Sequence, residues 1–419
     1  MNKNLIKNIL SLISVQGANY IIPLMTLPYL VRVLGPVGYG GLSFSLAFIQ
    51  YFVLLSDYGF NLSATKQIAV IKNEKYKVSK LFWNVMTCRC ILLAFGFLLL
   101  IFVSGVFDKI NGYRDILFYA YFMVLGNVLF PIWLFQGKEK MGMIAIANIS
   151  AKMLAIPLIF FLVKSNTDAN IAALISGCTF VLSGVIALLA IKKYGWIEWV
   201  QPSFLGVKQE FKLGWHIFLS TAAISLYTVT TTVILGVIAG PVAVGYFVAA
   251  DKIRQAAQGL ITPISQAIYP RINALMASEP IKAYFLIRKL LIIQGGGTFL
   301  LSLSLFLLAK PIILIAYHSS YIPSIIVLKW LAWLPFIIGL SNVFGIQTLL
   351  TLGLNFIFSR ILIISGIVSL VFIFPLTDRY AQNGAAVTIF ITEIFVTAVM
   401  LIVILKRKIP IFRKKIHEI

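Results

Sequence analysis

Apolar runs of about 20 residues recur from one end of this 419-residue sequence to the other. A helical run of that length crosses the roughly 30 Å hydrocarbon core of a bilayer. Backbone N–H and C=O groups in lipid must pair within the segment, which favours helices over isolated strands. Because 60% of the residues are hydrophobic and only 11% are charged, the chain is predicted to be an all-α integral membrane protein.

The pattern predicts about twelve transmembrane helices joined by connections of two kinds. The basic connections are 65–80, 192–213 and 271–289, together with the tail 406–419, whereas 32–40, 239–244 and 377–384 are nearly neutral. By the positive-inside rule, both termini are cytoplasmic. The predicted spans are 10–31, 41–64, 81–106, 116–135, 142–163, 170–191, 214–238, 245–268, 289–308, 323–349, 356–376 and 385–405.

One short turn occurs twice, half a chain apart. Gly35 and Pro36 match Gly240 and Pro241 at an offset of 205. Glycine permits a sharp turn, and proline stops a helix without leaving an amide unpaired. The repeat predicts two six-helix lobes, 1–205 and 206–419, as parallel pseudo-repeats about an axis along the membrane normal.

Two such lobes are typical of alternating-access transporters, and charged residues at membrane depth then mark function. The excess of cations among them indicates a cavity for an anionic ligand. For Arg89, Lys329 and Arg360, snorkelling to an interface is the alternative. The six cations are Arg89, Lys152, Lys252, Arg254, Lys329 and Arg360, and the three acids, which are also candidates for coupling transport to H⁺ or Na⁺, are Asp57, Asp251 and Glu393.

A polar stripe marks the eighth predicted span. Its members recur at spacings of three and four residues, so they share one helical face that must meet protein or water rather than lipid. An internal Asp251–Arg254 ion pair that holds helices together is the structural alternative. With two residues of the first span, the predicted uncharged cavity lining is Gln16, Asn19, Gln255, Gln258 and Thr262.

Signals for an enzyme are missing from the sequence. Three histidines and thirteen acids form no catalytic or metal-ligand cluster, and no phosphate-binding loop occurs. The three cysteines, Cys88, Cys90 and Cys178, fall inside predicted helices and suggest no disulfide framework. No metal or cofactor is expected, and the net charge of +22 is explained by membrane orientation and anionic lipids rather than by nucleic acid.

Four stretches resemble a known family. They are "QGANYIIPLMTLPYLVRVLGPVGYGGLSFSLAFIQYFVLLSDYGFNLSATKQIA" at 16–69, "PIWLFQGKEKM" at 131–141, "YPRI" at 269–272 and "GIQTLL" from Gly345. The sequence is similar to the Wzx-type O-antigen flippases of the polysaccharide transport family, within the multidrug/oligosaccharidyl-lipid/polysaccharide (MOP) exporter superfamily.

The resemblance implies a MATE-like protein of the bacterial inner membrane that flips undecaprenyl-pyrophosphate-linked O-antigen units outward. The O-antigen polymerase and chain-length regulator are the expected protein partners. The assignment of pyrophosphate binding to the six cations rests on burial and charge alone. Three alternatives stay open: a cation-coupled multidrug exporter of the same superfamily, a membrane enzyme, and a scaffold of polysaccharide assembly.

Overall fold

The computed structural model describes the backbone of residues 3–259 and 262–412, and the side chains of 25–219 and of most residues that follow. The secondary structure in these ranges is helical, without strands. Nine stretches in them are long and apolar enough to cross a membrane. The predicted all-α membrane fold is confirmed, while the number of twelve spans and the cytoplasmic termini stay predictions.

The chain divides into two compact units, the first of which is Met1–Val233. Its ten complete helices in the described ranges are α1 Lys3–Asp57, α2 Phe60–Ile71, α3 Lys75–Val106, α4 Asp108–Asn111, α5 Arg114–Ala120, α6 Phe122–Leu129, α7 Ile132–Gly137, α8 Met141–Leu162, α9 Ala169–Tyr194 and α10 Phe204–Thr228. The most extensive contact between two helices of this unit joins α6 and α9.

The second unit is Ile234–Ile419. Helix α11, Thr230–Gly259, leads into it, and the predicted lobe boundary at 205/206 stays a prediction. The remaining helices are α12 Thr262–Ser278, α13 Pro280–Leu307, α14 Ala309–Tyr317, a 3₁₀ helix Ser319–Tyr321, α15 Ser324–Leu331, α16 Leu334–Phe344, a π-helix Gly345–Leu350 and α17 Asn355–Lys406.

The repeated Gly-Pro turn produces the same backbone break in both units. Gly35 has φ 63° and ψ −179° inside α1, and Gly240 has φ 80° and ψ −178° inside α11. These positive φ values favour glycine. The two glycines, 205 residues apart, therefore have nearly the same backbone conformation.

The repeat at an offset of 205 extends beyond these turns. Helix α3 follows Glu74, and α13 follows Glu279, at the same offset. Glu74 pairs with Lys77 at 2.6 Å, and Glu279 pairs with Lys282 in the same i,i+3 arrangement. The equivalence therefore reaches the third helix of each unit.

Several predicted spans are not continuous helices. Span 41–64 is interrupted after Asp57, where Tyr58 and Gly59 have φ values of 44° and 79°. Span 116–135 is interrupted at Pro131, because proline lacks an N–H and forces the residue before it towards an extended conformation. Conversely, spans 356–376 and 385–405 lie in one assigned helix, α17, with a non-helical residue at Ala381.

Candidate functional site

The first unit contains a buried pair of opposite charges. Arg89 lies in the middle of α3, and its side chain is 0% exposed. Its Nη2 atom is 3.9 Å from Oδ1 of Asp57, the last residue of α1, whose side chain is 20% exposed. The snorkelling alternative does not describe Arg89, since its guanidinium group reaches no surface of the unit.

The guanidinium group of Arg89 is incompletely satisfied. None of its Nε, Nη1 and Nη2 atoms has a hydrogen-bond partner among the described residues, and the same holds for Oδ1 of Asp57. Leaving buried charged donors without acceptors is costly, so such a group is expected to meet water or an anion in some state of the protein. The arrangement suits a site that receives negative charge.

The position of Asp57 follows from the chain break after α1. The positive φ values of Tyr58 and Gly59 end the helix directly after the carboxylate. The preceding residue, Ser56, accepts a hydrogen bond at 3.2 Å from the Asn127 side chain of α6. Helices α1, α3 and α6 therefore all contact the region of the ion pair.

A second buried carboxylate in this unit, Glu210, was missed by the sequence analysis. It lies in α10 and is 4% exposed, and its Oε2 accepts a hydrogen bond from Nε2 of Gln67 in α2 at 2.9 Å. The residue was hidden in the basic segment 192–213. Its spacing from the apolar residues Val207 and Phe211 is a signal that could have placed it on the buried face.

The N-terminus of α10 is fixed to α3, which explains how Glu210 is held in place. The Asn84 side chain accepts a hydrogen bond from the Ser203 backbone N–H at 3.1 Å, and the Ser203 hydroxyl caps the helix by accepting from Gly206 N–H at 3.1 Å. Burial raises the pKa of Glu210 above its ordinary value of 4.5, while the Gln67 hydrogen bond opposes the shift.

The raised pKa of Glu210 predicts a pH-dependent stability cost. When the pH is well above the folded-state pKa, burial of the ionised carboxylate destabilises the protein. As the pH falls through that pKa towards 4.5, the folded state takes up the proton first and the cost disappears. Glu210→Gln should therefore raise the midpoint of thermal unfolding by about 1–2 °C at pH 8 and by less at pH 5.

Thermal unfolding of the purified protein across this pH range measures the difference. The matched control is Glu198→Gln, because Glu198 is an exposed glutamate whose carboxylate lies 3.7 Å from the Lys75 ammonium. A larger gain for Glu210→Gln at pH 5 than at pH 8 would contradict the prediction.

The second unit contains a denser polar cluster on α11. Arg254 donates from Nε to Asp251 Oδ1 at 2.7 Å and from Nη1 to Gln258 Oε1 at 2.6 Å. Gln255 donates to the other Asp251 oxygen at 2.6 Å, and Lys252 donates to Gln255 Oε1 at 3.4 Å. The stripe predicted from spacing is thus a connected network as far as Gln258, after which α11 ends at Gly259.

The charges of this cluster are balanced. Arg254 and Asp251 form an ion pair within one helix, and both side chains are 14% exposed. Glu393 of α17 is half-buried, and the charge of Arg254 acts on its carboxylate. With Lys252, the cluster contains two cations and two carboxylates. The Asp251–Arg254 ion pair, which is the structural alternative to a ligand site, is present.

The other predicted cations occupy different environments. Lys152 is half-buried in α8. Lys329 is exposed, with its ammonium 5.6 Å from the centre of the Phe306 ring, and Arg360 is exposed, with its guanidinium 4.5 Å from the centre of the Phe356 ring. Their part in substrate binding stays a prediction.

Three predicted lining residues lie outside what the structure describes. The side chains of Gln16, Asn19 and Thr262 are not among the described residues. Gln255 and Gln258 are described and are half-buried members of the α11 network.

Comparison with known proteins gives matches over most of the chain. The family described as "Polysaccharide biosynthesis protein" matches residues 5–276. An Escherichia coli (strain K12) protein named "Putative O-antigen transporter" is 41% identical, over 98% of this chain and 99% of the relative. A Shigella dysenteriae protein of the same name is 32% identical, over 94% of this chain and 98% of the relative.

Solved structures match the fold at low sequence identity. An inward-facing multidrug resistance MATE family transporter of the MOP superfamily has a TM-score of 0.72 at 15% identity, covering 95% of this chain and 98% of that chain. The lipid II flippase MurJ in an inward closed conformation has a TM-score of 0.71 at 13% identity, covering 94% and 87%. These likenesses confirm the predicted MATE-like fold and, together with the apolar helices, a multi-pass membrane protein.

Proposed function

The chain belongs to the polysaccharide biosynthesis protein family, and from that premise we propose that it is a flippase of the bacterial inner membrane. Its proposed substrate is the undecaprenyl-pyrophosphate-linked O-antigen repeat unit, carried outward by alternating access. The name of the Escherichia coli relative, "Putative O-antigen transporter", supports this substrate class, because that relative is 41% identical over nearly the full length. The observation that carries the proposal is an arginine in each unit, Arg89 and Arg254, placed inside an apolar helix and held against a carboxylate.

The two arginines suit the pyrophosphate in different ways. Arg89 has donors without acceptors among the described residues, so a phosphate oxygen that reached it would fill an existing deficit. Arg254 already donates to Asp251 and Gln258, so a pyrophosphate would have to compete with them. A guanidinium group can donate two parallel hydrogen bonds to phosphate, which gives geometric selectivity as well as charge attraction.

The paired carboxylates supply the proposed coupling to an ion. A proton or Na⁺ at Asp57, Asp251 or Glu393 would cancel the negative charge and release the neighbouring arginine for the anion. The membrane potential adds a driving force, because an anion that leaves a negative interior gains about 2.3 kcal/mol per charge per 100 mV. The membrane potential therefore favours outward movement of the proposed dianionic headgroup.

Arg254→Gln tests the proposal. The expected result is a loss of about tenfold or more in the initial rate of translocation, because the substitution removes the charge and the paired donors. The measurement is outward movement of the lipid-linked oligosaccharide in proteoliposomes that contain the full chain. The companion variant Asp251→Asn keeps Arg254 and removes its competitor, and it should alter the dependence of the rate on the pH gradient.

Arg379→Gln is the matched control for the lost positive charge. Arg379 is an exposed arginine of α17 that lies outside both charge clusters. Equal rates for wild type, Arg254→Gln and Arg379→Gln would remove Arg254 from the mechanism. Transport of a cationic drug, without transport of the lipid-linked oligosaccharide, would instead favour the multidrug exporter.

A further inference from the structure

The second unit contains a small cleft lined by uncharged polar side chains, which we call the amide cleft. Its water-accessible volume is about 30 Å³, which suits single hydroxyl groups. Its polar lining is Gln258, Ser265, Gln294 and Asn342, and Pro335, Ile338 and Gly339 complete the wall. No charged side chain of the described residues lines it.

Two buried amides at the cleft have unused acceptor oxygens. Gln294 is 6% exposed, and its Nε2 donates to the backbone oxygen of Gly339 at 3.1 Å, while its Oε1 has no partner among the described residues. Gln347 does not line the cleft but is 0% exposed, and its Nε2 donates to the backbone oxygen and the hydroxyl of the lining residue Ser265 at 3.0 and 2.8 Å. Its Oε1 also lacks a partner among the described residues, so the site is short of hydrogen-bond donors.

The backbone next to the amide cleft forms a π-helix instead of a regular α-helix. Asn342 lies near the end of α16, and its side chain contacts the Ser265 hydroxyl. The chain then enters the π-helix Gly345–Leu350, in which the Thr348 hydroxyl donates to the Val343 backbone oxygen at 2.8 Å. Short π-helical turns are frequent at functional sites because they change which residues face inwards, and here the turn contains Gln347.

By the internal repeat, the amide cleft of the second unit includes the residue equivalent to Arg89 of the first unit. Gln294 stands 205 residues after Arg89, and the two residues therefore occupy the same place in α13 and α3. One unit thus carries a buried cation at this position, and the other carries a neutral amide. The first suits an anion, whereas the second suits a neutral group that both donates and accepts hydrogen bonds.

The cleft also adjoins the cation of its own unit. Gln258 lines the cleft and accepts the hydrogen bond from Arg254 Nη1 at 2.6 Å. A ligand whose anionic end is held by Arg254 would therefore bring its neighbouring groups to the amides. In the proposed substrate, the groups next to the pyrophosphate are sugar hydroxyls, which donate and accept hydrogen bonds.

We propose that the amide cleft is a saccharide subsite, in which Gln294, with Asn342 and Gln258, binds hydroxyl groups of the sugar that follows the pyrophosphate. This inference rests on the proposed function and adds the residues that distinguish a sugar-bearing lipid from the bare carrier. A ligand O–H donates to Gln294 Oε1, and the other amides offer donors to the hydroxyl oxygens.

Gln294→Met tests the subsite, because methionine has nearly the same shape and no polar atoms. The probes are undecaprenyl pyrophosphate with its attached repeat unit and undecaprenyl pyrophosphate without sugar, each bound to the full chain in lipid nanodiscs. The variant should weaken binding of the sugar-bearing lipid by about tenfold and leave binding of the bare lipid unchanged. Asn342→Leu should show the same selective loss.

The controls separate this inference from the proposed function. Gln201→Met replaces an exposed glutamine and should change neither affinity. Gln294→Met should unfold within about 2 °C of the wild-type temperature, because the loss of its hydrogen bond to Gly339 is offset by removal of an oxygen that has no partner among the described residues. Equal weakening for both lipids, or no weakening for either, would overturn the saccharide subsite. Failure of the wild type to bind either lipid would overturn the proposed function itself.

Discussion

Replacing Gly126 by alanine is expected to prevent close packing of α6 and α9 and to destabilise the first unit by about 3 kcal/mol or more. A Cβ atom at Gly126 would lie 2.3 Å from the backbone carbon of Phe180 and 2.4 Å from the backbone nitrogen of Val181. Because these are backbone atoms, no change of side-chain rotamer relieves the overlap, and one helix must move. Close contacts at small residues are a main source of helix association in membranes.

The measurement is thermal unfolding of the purified protein in detergent, together with the yield of monodisperse protein. Gly297→Ala is the matched control, since Gly297 lies inside α13 and a Cβ atom there would meet nothing within 4 Å. That substitution should leave stability unchanged or raise it by up to about 1 kcal/mol, because alanine favours helix more than glycine. If Gly126→Ala were as stable as the wild type, the close contact between α6 and α9 at Gly126 would not be needed for stability.

The helical membrane fold and its repeat could be predicted from the sequence because their causes are local. Apolar runs of span length leave few alternatives to helices. The Gly-Pro pairs at Gly35 and Gly240 carry the conformational preference that produces the two breaks. The same Gly-Pro pair at an offset of 205 therefore has the same backbone break in both units.

The surroundings of the predicted cations could not be derived in the same way. Arg89 and Lys329 were both predicted to lie within apolar spans, yet Arg89 is fully buried and Lys329 is exposed. The orientation of a helical side chain can be predicted when one face is apolar and the other polar. In α3 the residues three and four positions from Arg89 are all apolar, so this spacing carries no mark of the face that packs inwards; they are Val85, Met86, Leu92 and Leu93.

Other functional candidates were missed because they carry little or no charge signal. Charged residues inside apolar spans stand out in the sequence, whereas the neutral amides Gln294 and Asn342 do not. Their importance comes from the packing of α13 against α16, which buries an amide oxygen that has no partner in the described part of the chain. Such a deficit depends on three-dimensional contacts and has no counterpart in spacing along the chain.

Replacement of the buried ion pair by neutral side chains is expected to separate stability from transport. In the double variant Asp57→Asn/Arg89→Met, no charge remains at the site, and methionine fills much of the arginine volume. Replacing a buried ion pair by groups of similar volume is often neutral or stabilising by about 1–4 kcal/mol. Because Arg89 has three nitrogens without hydrogen-bond partners among the described residues, we expect the unfolding temperature of the double variant to equal or exceed that of the wild type.

Transport should respond in the opposite direction. If Arg89 receives the pyrophosphate, both Arg89→Met and the double variant should lose at least about tenfold in the rate of lipid-linked oligosaccharide translocation, since a lost charge contact of this kind costs about 2 kcal/mol or more. Asp57→Asn alone keeps the arginine and should retain more activity than either. The single variant Arg89→Met should also be less stable than the double variant, because it leaves the Asp57 carboxylate without its counter-charge. A stable double variant with wild-type transport would show that Arg89 is needed for neither binding nor folding. An unstable double variant would show that the ion pair is structural. A double variant that is stable but transports poorly would assign the pair to function, because stability alone does not explain a buried charge whose removal stabilises the protein.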